Sequence, residues 1–228
     1  MKLSWLLFDA DNTLLDFTSA SKASLWQSFQ DFDVECNAEI YSIYKKINAS
    51  VWAEFEKGKI SAIELRKKRF ADLFDVIGKS DLEPSEFSKA YLDNLVIKSE
   101  AYEGVVELLQ SLQKKYRISL VTNGLKEVQR PRLSKLNLNQ YFESIIVSDE
   151  IGSAKPDREF FEHTFLSIPN PPEKSEVMII GDNPVSDIQG GIDFGIRTCL
   201  VTNGVKKGAE VQSDLVVEKA NDLLGILL

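Results

Sequence analysis

Six short β-rich runs, each closing on small or polar residues, constrain this chain more than any other feature. They are "KLSWLLFDAD" at 2–11, "RISLVTNG" at 117–124, "SIIVSDE" at 144–150, "EVMIIGDN" at 176–183, "RTCLVTNG" at 197–204 and "SDLVVE" at 213–218. Most are continuously apolar rather than alternating, and helical patterns separate most of them. The stretch "EGVVELLQSLQKKY" carries Val105, Leu108, Leu109 and Leu112 at the spacing of one buried helix face. Continuously apolar strands that alternate with helices predict an α/β domain, a parallel sheet covered on both faces.

Residues 18–98 break this rhythm and read as helices over roughly 20–31, 38–56, 61–78 and 84–97, with turn signals at "EKGKIS", "IGKSD" and "LEPSE". The expected organisation is a core from 1–17 and 99–228, with an all-helical insertion over 18–98. At 228 residues the chain is long enough for such a division.

Composition removes several classes of function. A formal charge of −8 opposes a sequence-independent grip on nucleic acid, which depends on clustered Lys and Arg. The basic run "RKKRF" at 66–70 is expected to be a solvated helix face. With Cys36 and Cys199 alone and far apart, neither a disulfide framework nor a CxxC metal site is available, which fits a reducing cytoplasm. Lys2 opens an apolar run, but Asp9 and Asp11 interrupt it before signal-peptide length, and no segment reaches the roughly 18 apolar residues of a membrane span. A soluble, unexported protein that binds no membrane is expected. The single histidine, His163, lies in the surface-helix pattern "DREFFEHTFLS", so acid–base work falls to carboxylates.

In an open parallel sheet, ligands bind beyond the carboxyl ends of the strands, where strand order reverses. Four of the predicted strands end in polar candidates: Asp9 with Asp11; Thr122 with Asn123; Asp149 with Glu150; and Asp182, with Asp187 following. Lys155 comes shortly after the third of these strands. If the strands are parallel neighbours, these groups converge on one rim.

The ordered set "DADNT", "TNG", "AKP" and "GDNPVSD" resembles the haloacid dehalogenase superfamily of phosphotransferases, and the match covers nearly the whole core. The resemblance implies a Rossmann-like, doubly wound sheet with an inserted helical cap domain. It implies phosphoryl transfer in which Asp9 is the nucleophile, Asp11 the general acid and base, and Lys155 a charge-balancing group. Thr122 and the backbone N–H of Asn123 would bind phosphate; Asp9, the main-chain carbonyl of Asp11, and Asp182 would hold Mg²⁺; and Asp187 would orient metal-bound water or Lys155. The chemistry is sensible in its own right. Four carboxylates and one lysine leave the set at −3, and such a cluster repels a phosphate unless a divalent cation joins it.

Asp11 favours phosphate esters over halides, because a departing halide needs no acid. The stretches "TNGLKEVQRPRL" and "GDNPVSDIQGGIDFGIRTC" look like the bacterial branch of 5'-nucleotidases acting on pyrimidine monophosphates. Substrate choice would then lie in the cap, with Trp52 or Phe55 as stacking candidates. The expected partner is a small phosphate monoester rather than a nucleic-acid polymer, and the expected state a monomer or weak homodimer. The competing readings are a sugar-phosphate phosphatase or phosphoglucomutase-like enzyme, and a non-catalytic phosphate-binding regulator.

Overall fold

The six runs become six strands of one parallel sheet. The computed structural model describes residues 3–168, 170–205 and 212–228. The strands are β1 (Trp5–Phe8), β2 (Arg117–Thr122), β3 (Ser144–Val147), β4 (Val177–Gly181), β5 (Arg197–Val201) and β6 (Leu215–Val217), in the spatial order β3-β2-β1-β4-β5-β6. The chain builds outward from β1 to β3, then returns to the other side of β1 with β4. Strand order reverses at β1, and that reversal defines the switch point of a doubly wound sheet.

Alternate residues of each strand feed opposite layers. On one face Leu6 and Phe8 of β1 pack with Ile118, Leu120, Met178, Ile180 and Cys199 beneath α5 (Val105–Leu112). On the other, Trp5 and Leu7 join Val121 and Ile179 beneath Phe160 and Phe161 of the helix Arg158–Leu166. Strands buried on both faces account for the absence of polar alternation in the sequence. The predicted helix face of Val105, Leu108, Leu109 and Leu112 is buried in full.

Contacts divide the chain into two compact units, Met1–Phe17 with Glu100–Leu228, and Thr18–Ser99. The second holds most of α1 (Phe17–Asp31), then α2 (Ala38–Glu56), α3 (Ala62–Ile77) and α4 (Pro84–Lys98). Their ends follow local chemistry. Asn37 caps α2 by accepting from the Ile40 N–H, Ser61 and Glu64 form a reciprocal capping box on α3, and Gly78 closes α3 in the left-handed conformation. The helices enclose an aromatic cluster in which Phe74 meets Phe87 edge-on at 5.0 Å and Tyr44 stacks on Phe70 at 5.7 Å.

The expectation of a solvated "RKKRF" face needs correction. Arg69 is buried, its guanidinium 4.9 Å from the Phe70 ring and 5.1 Å from that of Tyr91. Two aromatic faces shelter this cation, and Asn48 accepts from its Nη1 at 3.3 Å. Among the described residues, no helix is long and apolar enough to cross a membrane.

Candidate active site

Because β3, β2, β1 and β4 are neighbours, the four motif-bearing strand ends share one rim. Asp9 directly follows β1, and its N–H donates to the Ile180 carbonyl of β4 at 2.9 Å. The chain then turns sharply: the N–H groups of Leu14 and Leu15 both donate to the Ala10 carbonyl at 2.9 Å, with Asn12 in the left-handed region at φ 57°. This turn separates Asp9 and Asp11, and the two carboxylates acquire different surroundings.

Asp9 is buried and takes one donor on each oxygen. Lys155 Nζ lies 2.8 Å from its Oδ1, and the Thr13 hydroxyl donates to its Oδ2 at 3.2 Å. Lys155 is itself 1% exposed and spends its remaining donors on Asp187 Oδ1 at 2.6 Å and the Val121 carbonyl at 2.8 Å. Its backbone is held too. Asn123 accepts from the Lys155 N–H at 2.8 Å and donates to the Lys155 carbonyl at 2.7 Å, so the turn after β2 clamps the segment carrying the lysine.

The fourth strand supplies Asp182 and Asp187. Asn183 caps the next turn by accepting from the Val185 and Ser186 N–H groups, and Pro184 occupies a first-turn position where its missing N–H costs nothing. The segment Pro184–Gln189 is wound as a π-helix, a geometry frequent at functional sites. It carries Asp187 back over β4 to receive Lys155 on one oxygen and the Asn183 N–H, at 3.0 Å, on the other. Gly181 is required for this approach, since a Cβ there would lie 2.2 Å from Asp187 Oδ2. Two flanking glycines do backbone work as well. A Cβ on Gly191 would meet Ile179 at 2.7 Å, and Gly195 ends α9 (Gly190–Phe194) at φ 89°.

Carboxylate oxygens of Asp9, Asp182 and Asp187 all lie within 4.8 Å of one another. Burial pushes the Asp9 carboxyl well above the usual carboxylate range; Lys155 pulls it back, while Asp187 and Asp182 push it further up. Burial opposes the charge on Lys155, yet Asp187 and Asp9 outweigh that and hold its pKa above the ordinary lysine value. The negative field reaches Tyr102, whose phenol is pushed up to about 12 by burial and by Asp16, Asp182 and Asp11. The cluster is short of positive charge. Hard oxygen donors converging in a negative field suit a small divalent cation such as Mg²⁺. Beside them the Thr122 hydroxyl is buried without a hydrogen-bond partner among the described residues, a donor waiting for an acceptor.

Other predicted residues take different positions. Asp149 accepts from the Lys126 N–H and Glu150 pairs with Arg130, so both brace α6 (Lys126–Lys135). His163 is exposed on α8 (Arg158–Leu166), and Trp52 and Phe55 pack edge to face on each other at 5.6 Å. Two residues not singled out from the sequence, Gln129 and Arg132, contact the Asp11 carboxylate. Their signal lay in "QRPR", where an i, i+3 pair shares one helix face.

A doubly wound sheet with an aspartate–lysine cluster at its switch point defines an α/β enzyme core whose reaction centre lies at the strand ends. The chain belongs to the haloacid dehalogenase-like hydrolases, whose family model matches residues 6–201. It is 33% identical to the pyrimidine 5'-nucleotidase YjjG of Escherichia coli, over 87% of this chain and 86% of that one. It is 31% identical to the pyrimidine 5'-nucleotidase PynA of Streptococcus pneumoniae, over 100% and 96%. The magnesium-bound crystal structure of the HAD-hydrolase YfnB from Bacillus subtilis superposes with a TM-score of 0.92 at 31% identity, covering 100% of this chain and 99% of that one.

Proposed function

We propose that this hydrolase cleaves phosphate monoesters through a phosphorylated Asp9, and that its substrates are pyrimidine nucleoside 5'-monophosphates. The observation that carries the reading is the buried Asp9–Lys155–Asp187 bridge beside the unpartnered hydroxyl of Thr122. A purely structural ion cluster has no use for an orphaned donor at its edge. The substrate class rests on the likeness to YjjG and PynA.

An Asp9 oxygen attacks phosphorus as the bond from phosphorus to the leaving oxygen breaks, and Asp11 gives that oxygen its proton. Water then attacks the aspartyl-phosphate. Asp11 takes the water's proton, inorganic phosphate leaves, and Asp9 is restored. Throughout, Thr122 and the Asn123 N–H donate to phosphoryl oxygens while Lys155 offsets their charge. Asp9, Asp182 and the Asp11 carbonyl would hold Mg²⁺, which would supply the positive charge the cluster lacks. Asp187 holds Lys155 in place through its Oδ1. The two free cysteines, Cys36 and Cys199, accord with a reducing cytoplasm, and the reading is of a monomer or weak homodimer.

The test is phosphate release by purified protein with Mg²⁺ from dTMP, UMP, purine monophosphates and hexose phosphates. Preference for the pyrimidine esters by tenfold or more in kcat/KM is expected, with activity lost on chelation. Equal rates on hexose phosphates contradict the substrate assignment, and full activity in EDTA contradicts the metal.

A further inference from the structure

We infer that Gln129 and Arg132 are positioning residues for the Asp11 carboxylate, and that Gly124 is a glycine because the Gln129 side chain must cross it. The inference rests on the proposed role of Asp11 as the group that exchanges a proton with the leaving oxygen and with water.

The geometry is a two-point clamp. Arg132 Nη2 donates to Asp11 Oδ1 at 2.5 Å and Gln129 Nε2 donates to Oδ2 at 2.9 Å, so each oxygen is held by a different side chain. A carboxylate held at both oxygens is fixed in rotation as well as position. Each oxygen uses one lone pair in the clamp and keeps another for the proton it exchanges. The Asp11 side chain is 24% exposed, so solvent or substrate still reaches it.

The clamp is poorly explained as a stability device. Gln129 and Arg132 lie on the buried face of α6 between Val128 and Leu133, where apolar residues would ordinarily sit. Arg132 is 1% exposed, and among the described residues Arg132 Nε and Gln129 Oε1 have no hydrogen-bond partner. A buried ion pair at best roughly balances its desolvation cost, and an incomplete network does worse. Orientation of Asp11 accounts for what stability does not.

Gly124 supplies an independent observation. A Cβ there would lie 2.4 Å from Gln129 Nε2 and 2.8 Å from its Cγ. Gly124 is not among the glycines with positive φ, so its backbone conformation alone does not demand glycine. Its missing side chain instead opens the passage by which Gln129 reaches Asp11.

The experiment compares kcat/KM for an alkyl ester, dTMP, with that for p-nitrophenyl phosphate, in the presence of Mg²⁺. This parameter covers events up to departure of the leaving group, and only the alkoxide depends heavily on a proton from Asp11. The ratio within one variant is independent of how much of that preparation is folded. Gln129→Met, Arg132→Met and Gly124→Ala are each expected to lower the alkyl-to-aryl ratio by tenfold or more, in the direction of Asp11→Asn, with partial recovery in Arg132→Lys. An unchanged ratio in all three, whatever the absolute rates, overturns the inference. Should the wild type cleave p-nitrophenyl phosphate and not dTMP, benzyl phosphate serves as the alkyl arm; the nucleotide assignment then fails while the clamp is still decided by the ratio. A wild type inactive on every ester overturns both.

Discussion

At the residue scale, the site is a balance of charges in which single atoms have distinct consequences. Thr122 is buried with an unpartnered hydroxyl, so Thr122→Val removes a polar group that the metal-free fold does not use. Thermal stability should hold or rise slightly, while kcat/KM falls about 100-fold through loss of a phosphoryl donor; a variant that melts early with unimpaired turnover would contradict this. Asp9 behaves in the opposite sense to a stabilising carboxylate. Because burial raises its pKa above the ordinary 3.8, the folded protein retains a proton that the unfolded chain releases, and stability drops as pH climbs through that window. Asp9→Asn should therefore stabilise the metal-free protein at pH 7, with the gain vanishing as pH falls to about 4. Melting curves at the two pH values measure it, and destabilisation at pH 7 would show that Lys155 needs Asp9 more than the cluster suffers from it. Asp9, Thr122 and Asp182 were legible in the sequence because each stands in a short motif at a strand end, and Lys155 because its "AKP" follows β3 in the same ordered set. Gln129 and Arg132 were not, because polar residues on a helix normally mark its solvated face. Their burial is a tertiary fact, and so is that of Arg69 in the helical unit.

At the element scale, local rules place the groups. The strands were readable as continuous apolar runs because they are buried on both faces, and the helices of 18–98 because the turn signals "EKGKIS" and "IGKSD" contain the caps Ser61 and Gly78. The π-helical winding of Pro184–Gln189 was not readable: Pro184 announces a first turn, but nothing local distinguishes a wider helix from an α-helix. Its function depends on Gly181. Gly181→Ala puts a methyl 2.2 Å from the Asp187 carboxylate and must displace it, releasing one of the anchors of Lys155. Destabilisation of about 1–3 kcal/mol and loss of most activity are expected, checked by denaturant unfolding and phosphate release. A variant with unchanged stability and turnover would show that Asp187 has room to move.

At the scale of the whole molecule, sheet order makes the site. Four motifs spread from residue 9 to residue 187 meet because β3, β2, β1 and β4 are adjacent and parallel, an arrangement the sequence implied only conditionally. The convergence of carboxylates leaves the metal-free molecule carrying unfavourable charge, so Mg²⁺ should raise the melting temperature of the wild type and do so far less in Asp9→Asn or Asp182→Asn. Equal shifts in all three proteins would place the cation elsewhere. Central to the account is Asp9 as nucleophile in a metal-dependent phosphatase. Mg²⁺-dependent phosphate release from p-nitrophenyl phosphate by the wild type and by Asp9→Asn tests this most directly. The variant is expected to fall by 1,000-fold or more while remaining folded; turnover by Asp9→Asn at the wild-type rate would contradict the nucleophilic role of Asp9.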